Sequence, residues 1–371
     1  MNSTTIKWLA AAAVALLALM FVVDLSDRND TVAGAELLLP GFREQLNDVD
    51  RIVVTGNGEA DVVTVERDGE DWTVLEKGGF DADIGKLREL LLAMADARKL
   101  EQKTSNPERL PLLGLDGPDS GSGTKLEIAG EDFSYTLIIG NTAQSKNRYV
   151  RMADDNQAWL IDKNPELPAS GGGWLATELL DIEASRIRSV SVQHDDGETI
   201  SISKEAVEDS NFTVEDIPAG RELSYATVAN GMAGVLKDLA LEDVRPALEL
   251  DPVSTTVFTT FDGLVVTVRR YQDAAVVDGD EGDAWFAIDA DVLPPAVAEA
   301  MEPVAGEAIA DNVAIDDTSG EEPAAAPDES SPEEIAADLN ARRAGWQYKV
   351  PGYKANLIAR RWDDILKAPE E

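Results

Sequence analysis

The chain has 371 residues and no cysteine, and its 71 acidic residues against 32 basic ones give a formal net charge of −39. A surface of that sign repels phosphate backbones and anionic headgroups, which argues against nucleic-acid binding and peripheral lipid binding. The absence of cysteine excludes disulfides and thiolate metal sites, and the single histidine, His194, leaves too few ligands for zinc.

The first predicted element is a transmembrane helix. An uncharged run at residues 8–23, completed by its flanks to residues 6–25, is long enough to cross a hydrocarbon core about 30 Å thick. Lys7 precedes the run and acidic residues follow it, so the positive-inside rule predicts a cytoplasmic N terminus and an exported remainder. We expect a single-pass anchor at residues 1–25 in a bacterial inner (cytoplasmic) membrane, with the bulk of the chain periplasmic or extracytoplasmic.

A cleaved signal peptide is the alternative for this segment. Ala33, Gly34 and Ala35 form a small-x-small cleavage site, but charged residues separate it from the apolar run, whereas such sites normally follow closely. The uncleaved anchor is therefore favoured, and residues 26–49 are expected to form a juxtamembrane linker.

The exported part shows an internal duplication with a period of roughly 130 to 140 residues. In each copy, apolar and polar residues alternate as in half-buried antiparallel strands. The strands predicted for the first copy are 51–54, 63–67, 72–74, 124–128, 135–139, 149–152 and 158–162. Those predicted for the second are 186–190, 200–204, 212–214, 255–260, 264–269 and 284–289. The predicted fold class is α+β, with two tandem related modules at residues 50–182 and 183–368, each an antiparallel sheet with packed helices.

Each copy is also predicted to hold helices. Residues 84–94 place apolar side chains on one helical face, and residues 223–239 carry a looser stripe that two glycines weaken. A tryptophan-bearing helix is expected to end each copy, at residues 173–180 and at residues 353–366.

The final strands of the two copies match closely, since both begin with an Ala-Trp pair. Trp159 and Trp285 are therefore expected in equivalent positions, each in the core of its own module.

The second module also contains an acidic insertion at residues 293–340, rich in Ala, Pro, Glu and Asp. Its few large apolar side chains predict disorder, with a marginal helix at 297–310, so deletion of residues 318–331 is expected to leave the fold intact. The final helix, which contains Tyr353 and Trp362, is expected to pack back onto the second module. Trp346, which precedes this helix, is expected to pack there as well.

Four stretches of the sequence are similar to those of a known protein family. They are residues 46–52, residues 97–101, the Lys-Thr-Ser-Asn-Pro-Glu segment at 103–108, and Leu-Gly-Leu at 113–115. Together with the N-terminal anchor, they resemble the bacterial family of membrane-anchored proteins called domain of unknown function 4340. That family has no established activity, and its members are often encoded beside ABC-type transport components similar to those of gliding motility. The resemblance thus implies a transporter permease or auxiliary subunit as partner.

The most specific of these stretches has a structural interpretation. Asn106 is placed to cap a short helix that begins with Pro107, and Gly114 is placed to end it. We therefore favour a folding device over a ligand site at this motif.

The candidate catalytic and metal-binding residues each have a simpler structural interpretation. His194 lies in a predicted hairpin turn without a nucleophile elbow elsewhere, and glycines 171–173 lack the residues of a phosphate loop. The acidic stretch 278–283 lacks the glycine and the distal glutamate of an EF-hand, so a solvated loop is favoured over a Ca²⁺ site. No catalytic, cofactor-binding or metal-binding residue is predicted, and no cofactor.

These observations predict a non-enzymatic, membrane-anchored extracytoplasmic accessory or scaffold protein associated with an ABC-type transport system. The alternative is an extracytoplasmic module that binds a small ligand in the cleft between the repeats. A carboxylate-dependent hydrolase ranks third, because 71 acidic residues always offer some carboxylate pair and so give no specific signal. The sequence leaves the oligomeric state open.

Overall fold

The computed structural model describes residues 35–56, 62–118, 122–143, 146–273, 282–294 and 331–368. Its contacts divide the chain into two compact units, Met1–Leu175 and Ala176–Glu371. Both units combine antiparallel sheets with short helices, which confirms the predicted α+β class. Within the described ranges, no helix is both long enough and apolar enough to cross a bilayer. The anchor expected at residues 6–25 lies outside those ranges, as do residues 295–330 of the expected insertion.

The first unit is built on a nine-stranded antiparallel sheet. Its strands are β1 (Val49–Thr55), β2 (Val62–Asp68), β3 (Asp71–Val74), β4 (Phe80–Asp81), β5 (Lys99–Gln102), β6 (Thr124–Gly130), β7 (Phe133–Ala143), β8 (Asn147–Met152) and β9 (Trp159–Ile161). They are hydrogen-bonded in the order β4-β3-β2-β1-β6-β7-β8-β9-β5. Alternate side chains such as Ile52, Leu126 and Leu137 are fully buried, so period-two alternation fixes the core face.

One α-helix, α1 (Ile84–Asp96), accompanies this sheet. Asp83 caps it by accepting a hydrogen bond from the Lys86 amide, and its buried stripe includes Leu87, Leu90 and Met94 as predicted. Ile84, expected on the same stripe, is instead 49% exposed, because the first turn of the helix extends past the core.

The described part of the expected linker at residues 26–49, residues 35–49, packs into the first unit instead. Leu38 N donates to Ala97 O at 2.8 Å, and the fully buried Phe42 packs edge-on against Tyr135 with ring centroids 5.3 Å apart. The apolar side chains of this stretch therefore make it part of the first unit, up to a 3-10 turn at Phe42–Asp48.

The second unit contains an eight-stranded antiparallel sheet and a two-stranded ribbon. Its strands are β10 (Glu178–Leu180), β11 (Ile187–His194), β12 (Thr199–Ser203), β13 (Thr213–Val214), β14 (Leu239–Ala240), β15 (Asp243–Pro246), β16 (Ser254–Thr260), β17 (Leu264–Gln272), β18 (Ala284–Val292) and β19 (Trp346–Lys349). The main sheet runs β13-β12-β11-β16-β17-β18-β19-β15, and β10 pairs with β14. Its helices among the described residues are α2 (Asn230–Ala233), α3 (Pro332–Arg343), α4 (Gly352–Ile358) and α5 (Trp362–Ile365).

Three predicted helices differ from the structure. Residues 223–239 form only α2 and a 3-10 turn at Gly234–Leu236, since glycines break the stripe. Residues 173–180 form the end of a 3-10 turn and then β10, whose pairing with β14 places it in the second unit rather than in the expected first module. Residues 353–366 are split between α4 and α5, and Tyr353, expected to pack, is 65% exposed.

The C-terminal end of the expected disordered insertion is helical. Ser331 and Glu334 form a capping box at the start of α3, and Leu339 is buried. Asn340 exchanges two hydrogen bonds with the backbone of Ala290 on β18, at 2.7 and 3.0 Å. The proposed deletion of residues 318–331 would remove Ser331 and with it the side chain that caps α3. That the fold tolerates this deletion stays a prediction.

Trp159 and Trp285 do not occupy equivalent strands. β9 lies between β8 and β5, whereas β18 lies between β17 and β19. Trp285 is buried, but Trp159 is only half-buried, with the Lys99 ammonium 5.0 Å from its ring centroid. The prediction was wrong because an Ala-Trp pair identifies a strand but not its place in a sheet.

A polar cluster joins three strands at one edge of the second sheet. The Arg245 guanidinium of β15 donates to both carboxylate oxygens of Asp273, at 2.8 and 2.9 Å, and lies 4.1 Å from the Trp285 ring centroid. Trp285 Nε1 also donates to Asp273 at 3.0 Å, and Arg245 Nε donates to Gln347 of β19. The hydrogen bond from Arg245 lowers the pKa of Asp273 below its ordinary value.

Asp273→Asn should lower the free energy of unfolding by about 1 kcal/mol at neutral pH, because the carboxylate is partly exposed and its pair with Arg245 is screened. The folded pKa lies below the unfolded value of 3.8, so this contribution is complete above that value and is lost as the pH falls through the folded pKa. Urea unfolding should therefore separate wild type and variant at neutral pH and not in strong acid. Asp338→Asn, in an exposed pair with Arg342, is the control. A difference that persists in strong acid would contradict the assignment.

Candidate functional site

The stretch that carries the family resemblance is bound into the first unit by internal hydrogen bonds. Asn106 Oδ1 accepts from the Glu108 amide at 3.1 Å and caps a 3-10 turn at Pro107–Leu113, which confirms the predicted cap. Pro111 inside this segment cannot donate a helical hydrogen bond, and the segment is a 3-10 turn rather than an α-helix. Gly114 ends it at φ +69°, and a Cβ there would meet the Asn141 side chain at 2.6 Å.

Arg151 on β8 connects this stretch to the C-terminal end of β8. Its guanidinium donates to the carbonyl oxygens of Leu115 at 2.7 Å, Met152 at 3.0 Å and Ala153 at 2.9 Å, and burial lowers its pKa. Leu115 and Leu110 pack in the same buried cluster. We call residues 103–115 together with Arg151 the motif corner. Its internal bonds and packing support the folding-device interpretation.

A cavity of about 360 Å³ lies beside α1 in the first unit. Lys86 and Glu89 of the helix line it together with Lys163 and Glu166, and the buried Trp174 lies against it. Lys86 Nζ donates to Gly173 O at 2.8 Å, so one of the two lysines is already engaged. With equal numbers of opposite charges, this cavity indicates no ligand class.

His194 ends β11 where the predicted hairpin turn begins, and Gly197 adopts φ +91° in that turn. The histidine is buried, and its Nε2 lies 3.0 Å from Arg360 O. Residues 278–281 of the acidic stretch lie outside the described residues, whereas Asp283 accepts a hydrogen bond from Lys349 at 2.6 Å. In the part of the chain that the structure describes, no group of three or more histidine, aspartate or glutamate side chains is placed to hold a metal ion.

The C-terminal segment that contains α4 and α5 is fastened to the second unit by polar groups. The buried Lys354 Nζ donates to Val235 O at 2.9 Å and to Lys237 O, and burial lowers its pKa. Thr256 Oγ1 on β16 donates to Ile358 O at 2.6 Å. Together with the contact between His194 and Arg360 O, these bonds attach the segment at several points along its length.

Between this segment and the sheet lies a cleft that we call the arginine cleft. Its larger part, about 600 Å³, is lined by Arg270, Asn356, Ala359, Arg360, Arg361 and Asp364. A smaller part, about 300 Å³, is lined by His194, Val253, Gln272 and again Arg270 and Arg361.

The charges of the cleft are partly fixed by internal bonds. Arg361 Nη1 donates to Asp196 and to Glu198, both at 2.7 Å, and these bonds raise its pKa. Asp364 accepts from the Arg361 amide at 2.8 Å. Three arginines in one cleft stand out in a chain with 71 acidic residues, and their guanidinium groups are hydrogen-bond donors without acceptor capacity.

Sequence reasoning missed this cleft. It identified His194 but had no reason to place it beside Arg270 and Arg360, because strand register and the return of the C-terminal segment bring them together. The adjacent pair Arg360 and Arg361 in so acidic a chain was the one available signal.

Arg151→Lys should lower the free energy of unfolding by about 2 kcal/mol, because a single ammonium cannot serve the several carbonyl groups that the planar guanidinium reaches. Thermal and urea unfolding measure the loss. Arg109→Lys, on the exposed surface of the same 3-10 turn, is the matched control and should change little. Equal stability of the two variants would show that Arg151 does not support the motif.

Comparison with known proteins gives one match. The model of the family described as domain of unknown function (DUF4340) matches residues 72–255, a range that includes the motif corner held by Arg151. Neither the curated proteins nor the solved structures give a match. The chain belongs to the DUF4340 family.

Proposed function

We propose that the protein is a non-enzymatic accessory or scaffold protein of a bacterial cytoplasmic membrane, anchored by residues 6–25, with its two units on the extracytoplasmic side. Its partner is a permease or auxiliary subunit of an ABC-type transport system. The observation that carries the proposal is the motif corner, where the family-like residues bind each other and Arg151. Residues used in this way build a rigid surface for a partner rather than a reaction centre.

The anchor and the linker define where that surface lies. Residues 26–35 connect the proposed transmembrane helix to Glu36, whose carbonyl accepts from the Lys99 amide at 2.9 Å. A fully extended stretch of that length reaches at most about 35 Å. The first unit is thereby kept close to the bilayer, within reach of the extracytoplasmic parts of a membrane protein.

The two units are proposed to be tandem copies of one module. Without β4, the first sheet reads β3-β2-β1-β6-β7-β8-β9-β5, and the second reads β13-β12-β11-β16-β17-β18-β19-β15. In both orders the last edge strand, β5 or β15, comes from the middle of its unit; β5 directly follows a helix, whereas β14 lies between α2 and β15. Under this correspondence β8 matches β18 and β9 matches β19. The acidic insertion lies between β18 and β19 in the chain.

Affinity capture after cross-linking in native membranes should retain integral-membrane subunits of an ABC-type transporter. The bait is the full chain, and its matched control carries an unrelated single-pass helix in place of residues 1–25. If the units carry the interaction, both baits capture the same transporter subunits. Recovery of a bound small molecule without such subunits would contradict the scaffold and support the ligand-binding alternative.

A further inference from the structure

The arginine cleft contains donors that the fold leaves unused. Among the described residues, no hydrogen bond or ion pair is made by the Arg360 side chain, although its backbone carbonyl lies 3.0 Å from His194 Nε2. The backbone at Arg360 is therefore held in place, and the residue lines the cleft without a hydrogen bond or ion pair to any described residue from its guanidinium. A fixed backbone with an available guanidinium is suited to receive an anion from solvent.

A buried hydroxyl lies between two residues that line the cleft, on the same face of the sheet. Ser254 is directly opposite His194 on β11 and directly opposite Arg270 on β17, so the three side chains share one face of the sheet. The residue is only 3% exposed, and Ser254 Oγ has no hydrogen-bond partner among the described residues. A buried hydroxyl without a partner is costly, and a ligand oxygen beside His194 and Arg270 would supply one.

Among the described residues, the carboxylates around the cleft do not bind the Arg360 guanidinium or the Ser254 hydroxyl. Asp196 and Glu198 are held by Arg361, and Asp364 accepts from the Arg361 backbone amide. Arg270 donates from Nη2 to the neutral Gln272 side chain at 2.8 Å. Arg361 thus binds the acidic side chains Asp196 and Glu198. The Arg360 guanidinium binds no carboxylate among the described residues.

From these observations we propose that the arginine cleft binds a small molecule through an oxyanionic group, a phosphate or a carboxylate. Arg360 and Ser254 donate hydrogen bonds to that group. The larger part of the cleft, about 600 Å³, exceeds the needs of a bare ion and accommodates the rest of the molecule. This inference is independent of the scaffold role, since a protein that presents surfaces to a transporter does not require a cationic cleft.

The single histidine of the chain gives an unambiguous reporter, because its Cε1–H signal is the only one of its kind. With the full chain in detergent, inorganic phosphate at constant ionic strength should shift this signal saturably, or acetate should do so if the site prefers a carboxylate. Chloride at the same ionic strength is the control for screening.

Substitutions in and outside the cleft test whether the anion binds there. Arg360→Gln should weaken the preferred anion about tenfold or more, and Ser254→Ala by about threefold to tenfold, because both lose a donor to a charged acceptor. Ser254→Ala removes only an unpartnered hydroxyl and should retain full stability, so it remains informative if Arg360→Gln folds poorly. Arg342→Gln, on the exposed surface of α3, should bind as wild type does. No saturable shift with phosphate or acetate, or equal affinity in wild type, Arg360→Gln and Ser254→Ala, would overturn the proposal.

Discussion

Both units depend on basic side chains that bind backbone carbonyl groups. Loops that cross a sheet bury carbonyl oxygens that no strand satisfies, and each such group needs a donor. Arg151 serves this role in the first unit, and Lys204 and Lys354 serve it in the second, where Lys204 Nζ donates to Ser185 O at 3.0 Å. All three are at least nine-tenths buried. In a chain with only 32 basic residues, these positions set where the motif corner and the C-terminal segment lie.

Much of the sheet architecture was readable from sequence, because alternation with period two directly reports a half-buried strand. Three short strands at one end of the two sheets were not. β5, β15 and β19 have four residues each, too few for a pattern, and they join their sheets only when distant segments return. The α3 helix was readable but missed, since Ser331, Pro332 and Glu334 form a capping signal inside a stretch whose composition suggests disorder.

The Asn106 cap and the arginine cleft differ in the same respect: the first could be predicted from the sequence and the second could not. The Asn106 cap is local, so sequence alone predicts both its geometry and its structural role. The arginine cleft is not local, because His194, Ser254 and Arg360 come from two strands and the C-terminal segment. The two features also lie in different units. The family-like residues stabilise the first unit, whereas Arg360 and Ser254, the donors of the proposed anion site, lie in the second.

The central claim, an anchored chain with both units outside the cytoplasm, is tested most directly by a topology reporter at the C terminus. Alkaline phosphatase fused after Glu371 folds only in an oxidising exported compartment, and a fluorescent protein fused there reports the cytoplasm. We predict an active phosphatase on a chain that remains with the membrane after alkaline extraction. A fluorescent cytoplasmic reporter with inactive phosphatase, or release of a soluble chain that begins near Glu36, would contradict the account.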